Sequence, residues 1–122
     1  MAEVQPDLAV YKILTPAQWE RVRAKGRYTP KGVDARDGFV HFSRLGQVVD
    51  TVRAHFEAAD ELVIVEVATA PLIDFMRWEE SRGGQLFPHL YGEWSVEEVR
   101  RTWDLARGAD GGFDWPAEFL TS

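Results

Sequence analysis

The stretch Gly38-Phe39-Val40-His41-Phe42-Ser43 has the alternation of a buried β-strand and carries two polar side chains that strand formation does not require. Alternate residues of a strand point to opposite faces, so His41 and Ser43 share one face while Val40 and Phe42 occupy the other. The segment follows a turn signal and precedes an amphipathic pattern, so Ser43 is placed to cap a helix. We therefore expect an imidazole and a hydroxyl at a strand-to-helix junction, where side chains can face a cleft.

Two later stretches, Phe75-Met76-Arg77-Trp78-Glu79 and Phe87-Pro88-His89-Leu90-Tyr91-Gly92, repeat this alternation. When they are placed on strands, each has apolar side chains on one face and a polar pair on the other. A sheet that packs one face on a core and lines a cleft with the other produces this pattern. If the three polar faces converge, they form one pocket from the following residues: His41, Ser43, Arg77, Glu79, His89 and Tyr91.

The same residues also have interpretations that need no ligand. His41 can be a hydrogen-bonded core histidine, and capping alone can explain Ser43. Arg77 and Glu79 can be a surface pair, which contributes only about 0 to 1 kcal/mol. His41, His89 and Glu79 can form a facial metal set, but no H-E-x-x-H motif fixes their geometry, and we expect no metal.

The composition predicts one soluble, cytoplasmic domain that spans residues 1–122. There is no cysteine, which excludes thiol chemistry, disulfides and Cys-ligated metals, and no apolar run approaches the roughly 20 residues of a membrane span. Twenty acidic and fourteen basic residues give a net charge of −6, which disfavours a long nucleic acid as a partner. A basic pocket for a single nucleotide remains compatible with this balance, and the oligomeric state is open.

Outside the polar-faced segments, the periodicity predicts an α+β domain. It predicts helices at 16–25 and 44–58 and further strands at 8–14, 62–67 and 99–105. The segment 27–37 contains proline and glycine and little apolar content, so we predict a mobile loop that acts as a lid. In the C-terminal tail, 107–122, the aromatic residues Phe113, Trp115 and Phe119 predict docking onto the core 8–106.

Five motifs, in residues 11–14, 38–43, 47, 77–79 and 87–92, together resemble a bacterial family of unknown function, DUF952. The resemblance extends over about residues 8–106. That family is grouped with the ADP-ribosyltransferase-like fold. The resemblance therefore implies a single small domain in which antiparallel sheets surround a central cleft, flanked here by two main helices.

The resemblance also implies functional roles. His41-Phe42-Ser43 is similar to the H-G-[ST] strand of ADP-ribosyltransferases, which implies that His41 binds a ribose hydroxyl of NAD. By residue type, Tyr91 would stack on nicotinamide, and Glu79 or Glu93 would orient the acceptor. These roles imply an enzyme of the ADP-ribosyl-transfer type acting on NAD or a related small-molecule nucleotide.

A noncatalytic module that binds a nucleotide or metabolite in the same pocket is the alternative. Both interpretations use Ser43, Arg77, His89 and Gly92 as ligand-binding residues. The forked guanidinium of Arg77 suits a phosphate or carboxylate, and Gly92 lets the backbone approach a ligand closely.

Overall fold

A computed structural model describes residues 7–120, apart from the side chain of Arg82. Residues 1–6 and 121–122, which include most of the polar N-terminus and the end of the predicted tail, lie outside the described residues. The strands and helices are β1 (Ala9–Leu14), α1 (Pro16–Lys25), β2 (Arg27–Tyr28), α2 (Val33–Asp37), β3 (Val40–His41), α3 (Val48–His55), β4 (Glu61–Ala68), β5 (Met76–Glu80), β6 (Leu86–Leu90), β7 (Trp94–Ser95) and β8 (Val99–Ala106). Short 3₁₀ turns lie at Leu45–Gln47, Ala70–Phe75, Arg82–Gly84, Val96–Glu98 and Ala117–Phe119.

The strands form three antiparallel sheets. The first has the order β1-β4-β8, the second β3-β6-β5, and the third consists of β2 and β7. With α1 and α3 as the two longer helices, the chain is a small α+β domain, as the sequence predicted. No helix within residues 7–120 has both the length and the apolarity to cross a membrane.

The central strand of the first sheet, β4, is buried on both faces. Val63, Val65 and Val67 of β4 face one core, which they share with Leu90 and Trp94 from the other two sheets. The alternate side chains of β4 face a second core, beneath α3 and the C-terminal tail. A strand that is covered on both sides needs apolar residues on both faces, which explains the four consecutive aliphatic residues at 62–65 within the strand predicted at 62–67.

The caps of α1 follow the sequence closely. The Thr15 hydroxyl accepts a hydrogen bond from the Gln18 N–H at 3.2 Å, and the Gln18 side chain accepts one from the Thr15 N–H at 2.8 Å. Pro16 occupies the first turn, and Gly26 ends the helix at φ 82°, a left-handed conformation that suits glycine. The predicted helix boundaries are confirmed.

The segment 27–37 is not the mobile loop that its proline and glycine suggested. Its first residues form β2, and Tyr28 stacks on Trp94 of β7 with 5.3 Å between ring centroids. Its last residues form α2, whose Asp34 is buried. The prediction failed because the partner strand lies far away in the chain, where local turn signals carry no information about it.

The predicted helix cap at Ser43 is also wrong. The N–H and C=O of Ser43 pair with the backbone of Tyr11 at 2.8 and 2.9 Å, which joins the first sheet to the second. Its hydroxyl donates to the Thr51 hydroxyl at 3.0 Å. The following helix begins with the 3₁₀ turn Leu45–Gln47, one residue further on, and continues as α3.

The aromatic residues of the tail dock onto the second core. The Phe119 ring lies edge-on to Trp103, Tyr11 and Trp115, at centroid distances of 4.9, 5.9 and 5.9 Å. Only 5% of Phe119 is exposed, whereas its neighbour Leu120 is 62% exposed. The tail therefore completes the core of this domain.

We predict that Phe119→Ala lowers the free energy of unfolding by about 3 to 5 kcal/mol, because removing the ring leaves a cavity among its aromatic neighbours. Urea denaturation measures the change. Leu120→Ala is the matched control and should stay within about 0.5 kcal/mol of wild type. Equal stability of the two variants would show that the tail does not belong to the core.

Candidate functional site

A cleft of about 920 Å³ opens beside β1, α1, α2 and β3. The segment 27–37 forms one wall, and the second half of β1 and the residues after β3 lie at its base. This volume lies within the range of about 300 to 1,000 Å³ that is typical of small-molecule and cofactor sites.

A buried polar cluster around Asp34 forms the floor of the cleft. Asp34 accepts hydrogen bonds from the Lys12 ammonium at 2.8 Å, the Tyr28 hydroxyl at 2.5 Å and the His41 Nδ1 at 2.6 Å. It also accepts one from the backbone N–H of His41 at 3.2 Å. The donors come from β1, β2 and β3, and Asp34 itself lies on α2, so one carboxylate connects four elements.

The strand period of β1 explains why a lysine is buried here. Lys12 lies on the same face as Val10 and Leu14, which pack in the first core. Its ammonium reaches both the Asp34 carboxylate and, at 3.0 Å, the carbonyl oxygen of His41. A buried cation needs such partners, because desolvation without them costs several kcal/mol.

The partners of Asp34 also set its protonation state. Burial raises the pKa of the Asp34 carboxyl, but hydrogen bonds from His41 and the charge and hydrogen bond of Lys12 more than offset this. The pKa of Asp34 therefore lies well below its usual range, and the group is ionised at neutral pH.

His41 has a carboxylate partner at each ring nitrogen, one buried and one partly exposed. Besides the contact of its Nδ1 with Asp34, its Nε2 lies 3.1 Å from a carboxylate oxygen of Asp37. About a third of the His41 side chain, 34%, is exposed. The core-histidine interpretation and the cleft interpretation are therefore both partly right, since the ring has a buried partner and also lines the cleft.

The second sheet aligns the other predicted residues with His41. His89 of β6 is directly opposite His41 of β3 on one side and Arg77 of β5 on the other. Directly opposed residues of antiparallel strands place their side chains on the same face. The Glu79 carboxylate accepts hydrogen bonds from the His89 Nδ1 at 2.8 Å and the Tyr91 hydroxyl at 2.7 Å.

Phe39 links the two halves of this face. Its ring lies 4.6 Å from His41, 4.1 Å from His89 and 5.2 Å from Tyr91, measured between centroids. On the far side, the Arg77 guanidinium lies 5.4 Å from the Tyr91 ring centroid. The two histidine rings are 5.5 Å apart.

The Glu79 carboxylate is held in its ionised form. Hydrogen bonds from Tyr91, and then from His89, lower its pKa, while the bond to Glu79 raises the pKa of the Tyr91 phenol. The proton in the Glu79 and Tyr91 pair therefore stays on Tyr91.

The structure brings the predicted residues onto one face but does not place all of them in the cleft. His41, Ser43 and His89 line it. The candidates that lie beyond the lining are Arg77, Glu79, Tyr91 and Gly92. A Cβ built at Gly92 would contact Phe75, at 3.8 Å. The other candidate glutamate, Glu93, is exposed, and its Oε1 lies 3.8 Å from the Nε of Arg27.

A group of basic side chains surrounds the cleft, here called the cationic rim, and the sequence patterns did not predict it. It consists of Arg21, Lys25, Arg27, Lys31 and Arg36. Arg27 and Arg36 also contact Glu93 and Asp37, while the other three have no ion-pair partner among residues 7–120. Net charge alone concealed the rim, although the clustering of basic residues between 21 and 36 was visible in the sequence.

Metal binding was the other use considered for His41, Glu79 and His89. Among residues 7–120, no three histidine or carboxylate side chains are grouped as a metal ion would require. The Nδ1 of His89 instead contacts Glu79 directly.

Comparison with known proteins identifies close relatives. The sequence matches the family described as protein of unknown function (DUF952) over residues 13–102. The crystal structure of protein CC0527 from Caulobacter crescentus has a TM-score of 0.83 and 39% identity, covering 93% of this chain and 99% of that one. The solution NMR structure of CC0527 has a TM-score of 0.75 and 42% identity, and the match covers 86% of this chain and 90% of that one. No curated protein matches the sequence.

We predict that Asp34→Asn lowers the free energy of unfolding by about 3 to 5 kcal/mol, because it leaves the buried Lys12 ammonium without a counter-charge. Urea denaturation at neutral pH measures the loss. Glu20→Gln is the control, since its pair with Arg23 at 2.8 Å is exposed, and it should cost only about 0 to 1 kcal/mol. Similar small losses for both variants would contradict the cluster's structural role.

The same variant should show a characteristic pH dependence. The pKa of Asp34 is lower in the folded chain than in the unfolded one, so ionisation of Asp34 stabilises the fold above the unfolded pKa of about 3.9. This stabilisation is lost as the pH falls towards the folded value. The stability difference between wild type and Asp34→Asn should therefore be complete at pH 6 and shrink below about pH 4. Urea midpoints across this range test it, and a constant difference would contradict it.

Proposed function

The chain belongs to the DUF952 family, and we propose that it is an enzyme of the ADP-ribosyl-transfer type that binds NAD or a related nucleotide in its cleft. One observation carries the proposal: His41 is fixed by a buried carboxylate at the floor of a cleft with a cationic rim. We also propose an ADP-ribosyltransferase-like fold. Two three-stranded antiparallel sheets that share a core and are bridged between Tyr11 and Ser43 support this assignment.

In this proposal, His41 binds a ribose hydroxyl. Asp34 holds the Nδ1 side of the ring, so the orientation of the ring is set before the ligand arrives. The contact of Nε2 with Asp37 is longer, at 3.1 Å, and Asp37 is partly exposed, so a ligand hydroxyl can replace it at low cost. A preoriented donor of this kind suits ribose recognition.

The phosphates of the nucleotide would lie against the cationic rim. Six basic side chains line the cleft, Lys12 and the five of the cationic rim, against two carboxylates, Asp34 and Asp37, both of which contact His41. The cleft is therefore locally positive in a chain whose net charge is −6. Such a local field attracts a compact anion, and long nucleic acid would meet repulsion from the rest of the surface.

The nicotinamide would extend towards Tyr91. The Phe39 ring lies between His41 and Tyr91, at 4.6 and 5.2 Å, so an aromatic ring attached to a ribose at His41 can cross Phe39 to reach it. Tyr91 is 40% exposed, which leaves ring surface for stacking.

A noncatalytic nucleotide-binding module is the second candidate, and a specific observation favours it. Glu79 and Glu93, the two glutamates considered for the catalytic role, lie beyond the cleft lining. Release of nicotinamide from NAD decides between the candidates, because a binding module leaves NAD intact. ADP-ribose that binds while NAD stays uncleaved would support the module.

We predict that the protein binds ADP-ribose and that Arg21→Gln weakens binding about tenfold, or roughly 1.4 kcal/mol, because it removes a cation from the rim. Isothermal titration calorimetry measures the affinity. Arg23→Gln is the matched control on the same helix, since Arg23 pairs with Glu20 and lies outside the cleft lining. Binding to wild type should also weaken with salt. No binding to wild type, or equal losses in both variants, would contradict the proposal.

A further inference from the structure

His89 is the buried histidine that neither ribose nor phosphate recognition uses. It lies on β6, the central strand of the second sheet, and only 5% of the residue is exposed. The Phe39 ring stacks on it at 4.1 Å with 26° between the planes, which limits rotation of the imidazole. Even so, His89 contributes to the cleft lining.

The hydrogen bonds of Glu79 determine which nitrogen of His89 carries the proton. An ionised carboxylate can only accept hydrogen bonds, and Glu79 is held ionised by its bonds from Tyr91 and His89. The Nδ1 of His89, 2.8 Å from Glu79, must therefore be the protonated nitrogen. In the neutral ring the lone pair is on Nε2, for which residues 7–120 provide no hydrogen-bond partner.

We propose that His89, oriented by Glu79, is the general base that removes the proton from an acceptor hydroxyl in the cleft. The inference rests on the proposed function, because it assigns the proton acceptor for that same reaction. It also gives Glu79 a different task from the one its residue type suggested. Glu79 is a positioning residue that acts through His89, which explains why it can lie beyond the cleft lining.

The step balances without any further reactant. The acceptor oxygen forms a bond to C1′ of the ribose while its proton moves to the Nε2 of His89. The bond between C1′ and the nicotinamide nitrogen breaks, and its electron pair leaves with neutral nicotinamide. His89 becomes an imidazolium beside the Glu79 carboxylate, which stabilises that charge, and it later gives its proton to solvent.

Several charged groups face His89 and enter its pH dependence. From β5 these are Glu79 and Arg77, and the titratable phenol of Tyr91 follows directly after β6. From β3 it is His41, whose ring is 5.5 Å away and is itself bound to Asp34 and Asp37 of α2. A variant that removes His89 separates its ionisation from theirs.

The first test needs no ligand. Long-range ¹H–¹⁵N correlation spectra of the wild-type protein should show neutral His89 protonated on Nδ1, and Glu79→Gln should weaken that preference. Glu80→Gln is the matched control, because Glu80 is the next residue of β5 and is exposed. Wild-type His89 protonated on Nε2 would overturn the inference and leave the proposed function intact.

The second test measures nicotinamide release from NAD with water as the acceptor. His89→Gln should lower kcat by about 10² to 10⁴-fold with little change in the Kd for NAD. Glu79→Gln should lower kcat by roughly 10 to 100-fold, the loss typical when the carboxylate that orients a metal-bound imidazole is removed. Glu80→Gln should match wild type, and the rise of kcat with pH in wild type should disappear in His89→Gln.

The outcomes separate the two proposals. Active wild type with an equally active His89→Gln overturns the general base alone. Wild type that binds NAD and releases no nicotinamide overturns both the base and the enzyme, and leaves the binding module. If thermal melts show that His89→Gln does not fold, the tautomer of wild-type His89 and its response to Glu79→Gln decide the inference.

Discussion

The buried ion pair of Lys12 and Asp34 is the interaction on which the site depends. Moving two charges out of water costs several kcal/mol per ion, and attraction between them repays this only when further hydrogen bonds complete the set. Here Tyr28 and His41 complete it. The ion pair is therefore stable only when β1, β2, α2 and β3 pack next to one another. That packing fixes the position of the His41 ring.

Two histidines on the same sheet face each bind a carboxylate through Nδ1, but the two pairs differ in which partner is buried. Asp34 is buried behind His41 and leaves the ring partly open to the cleft, whereas Glu79 is partly exposed and its histidine is buried. Both contacts involve Nδ1, at 2.6 and 2.8 Å. The two rings differ at Nε2, because Asp37 contacts the Nε2 of His41. One ring is thus prepared to donate to a ligand and the other to accept from it.

Local patterns in the sequence predicted much of the fold and part of the site. Local sequence signals predicted the caps of α1 and the strand β4. The aromatic residues of the tail predicted the docking of Phe119, because a tail exposed to water does not need them. The alternation that grouped His41 with His89 is a property of strands, and the register confirms that they are neighbours. Asp34 was missed because its partners Lys12, Tyr28 and His41 lie on three other elements, and nothing in the residues around Asp34 indicates its burial.

The clustering of basic residues between 21 and 36 is visible in the sequence, but their arrangement around one opening and the limits of the cleft could not be predicted, for a related reason. A count of charges averages over the whole surface, whereas the rim depends on α1, β2 and α2 lining one opening. The period of two predicts the sheet face on which each side chain lies, but not its distance from the cleft. The period therefore could not show that His89 lines the cleft and that Glu79 lies beyond the lining.

The bridge between Tyr11 and Ser43 has a consequence for association between molecules. β1 pairs with β4 on one side only, and an outer strand with free backbone N–H and C=O groups is a template for a strand of another chain. Ser43 occupies both backbone groups of Tyr11 at the middle of that strand, at 2.8 and 2.9 Å. The segment that follows β3 thus interrupts the open edge, and Ser43, which protects β1 from intermolecular pairing, also lines the cleft.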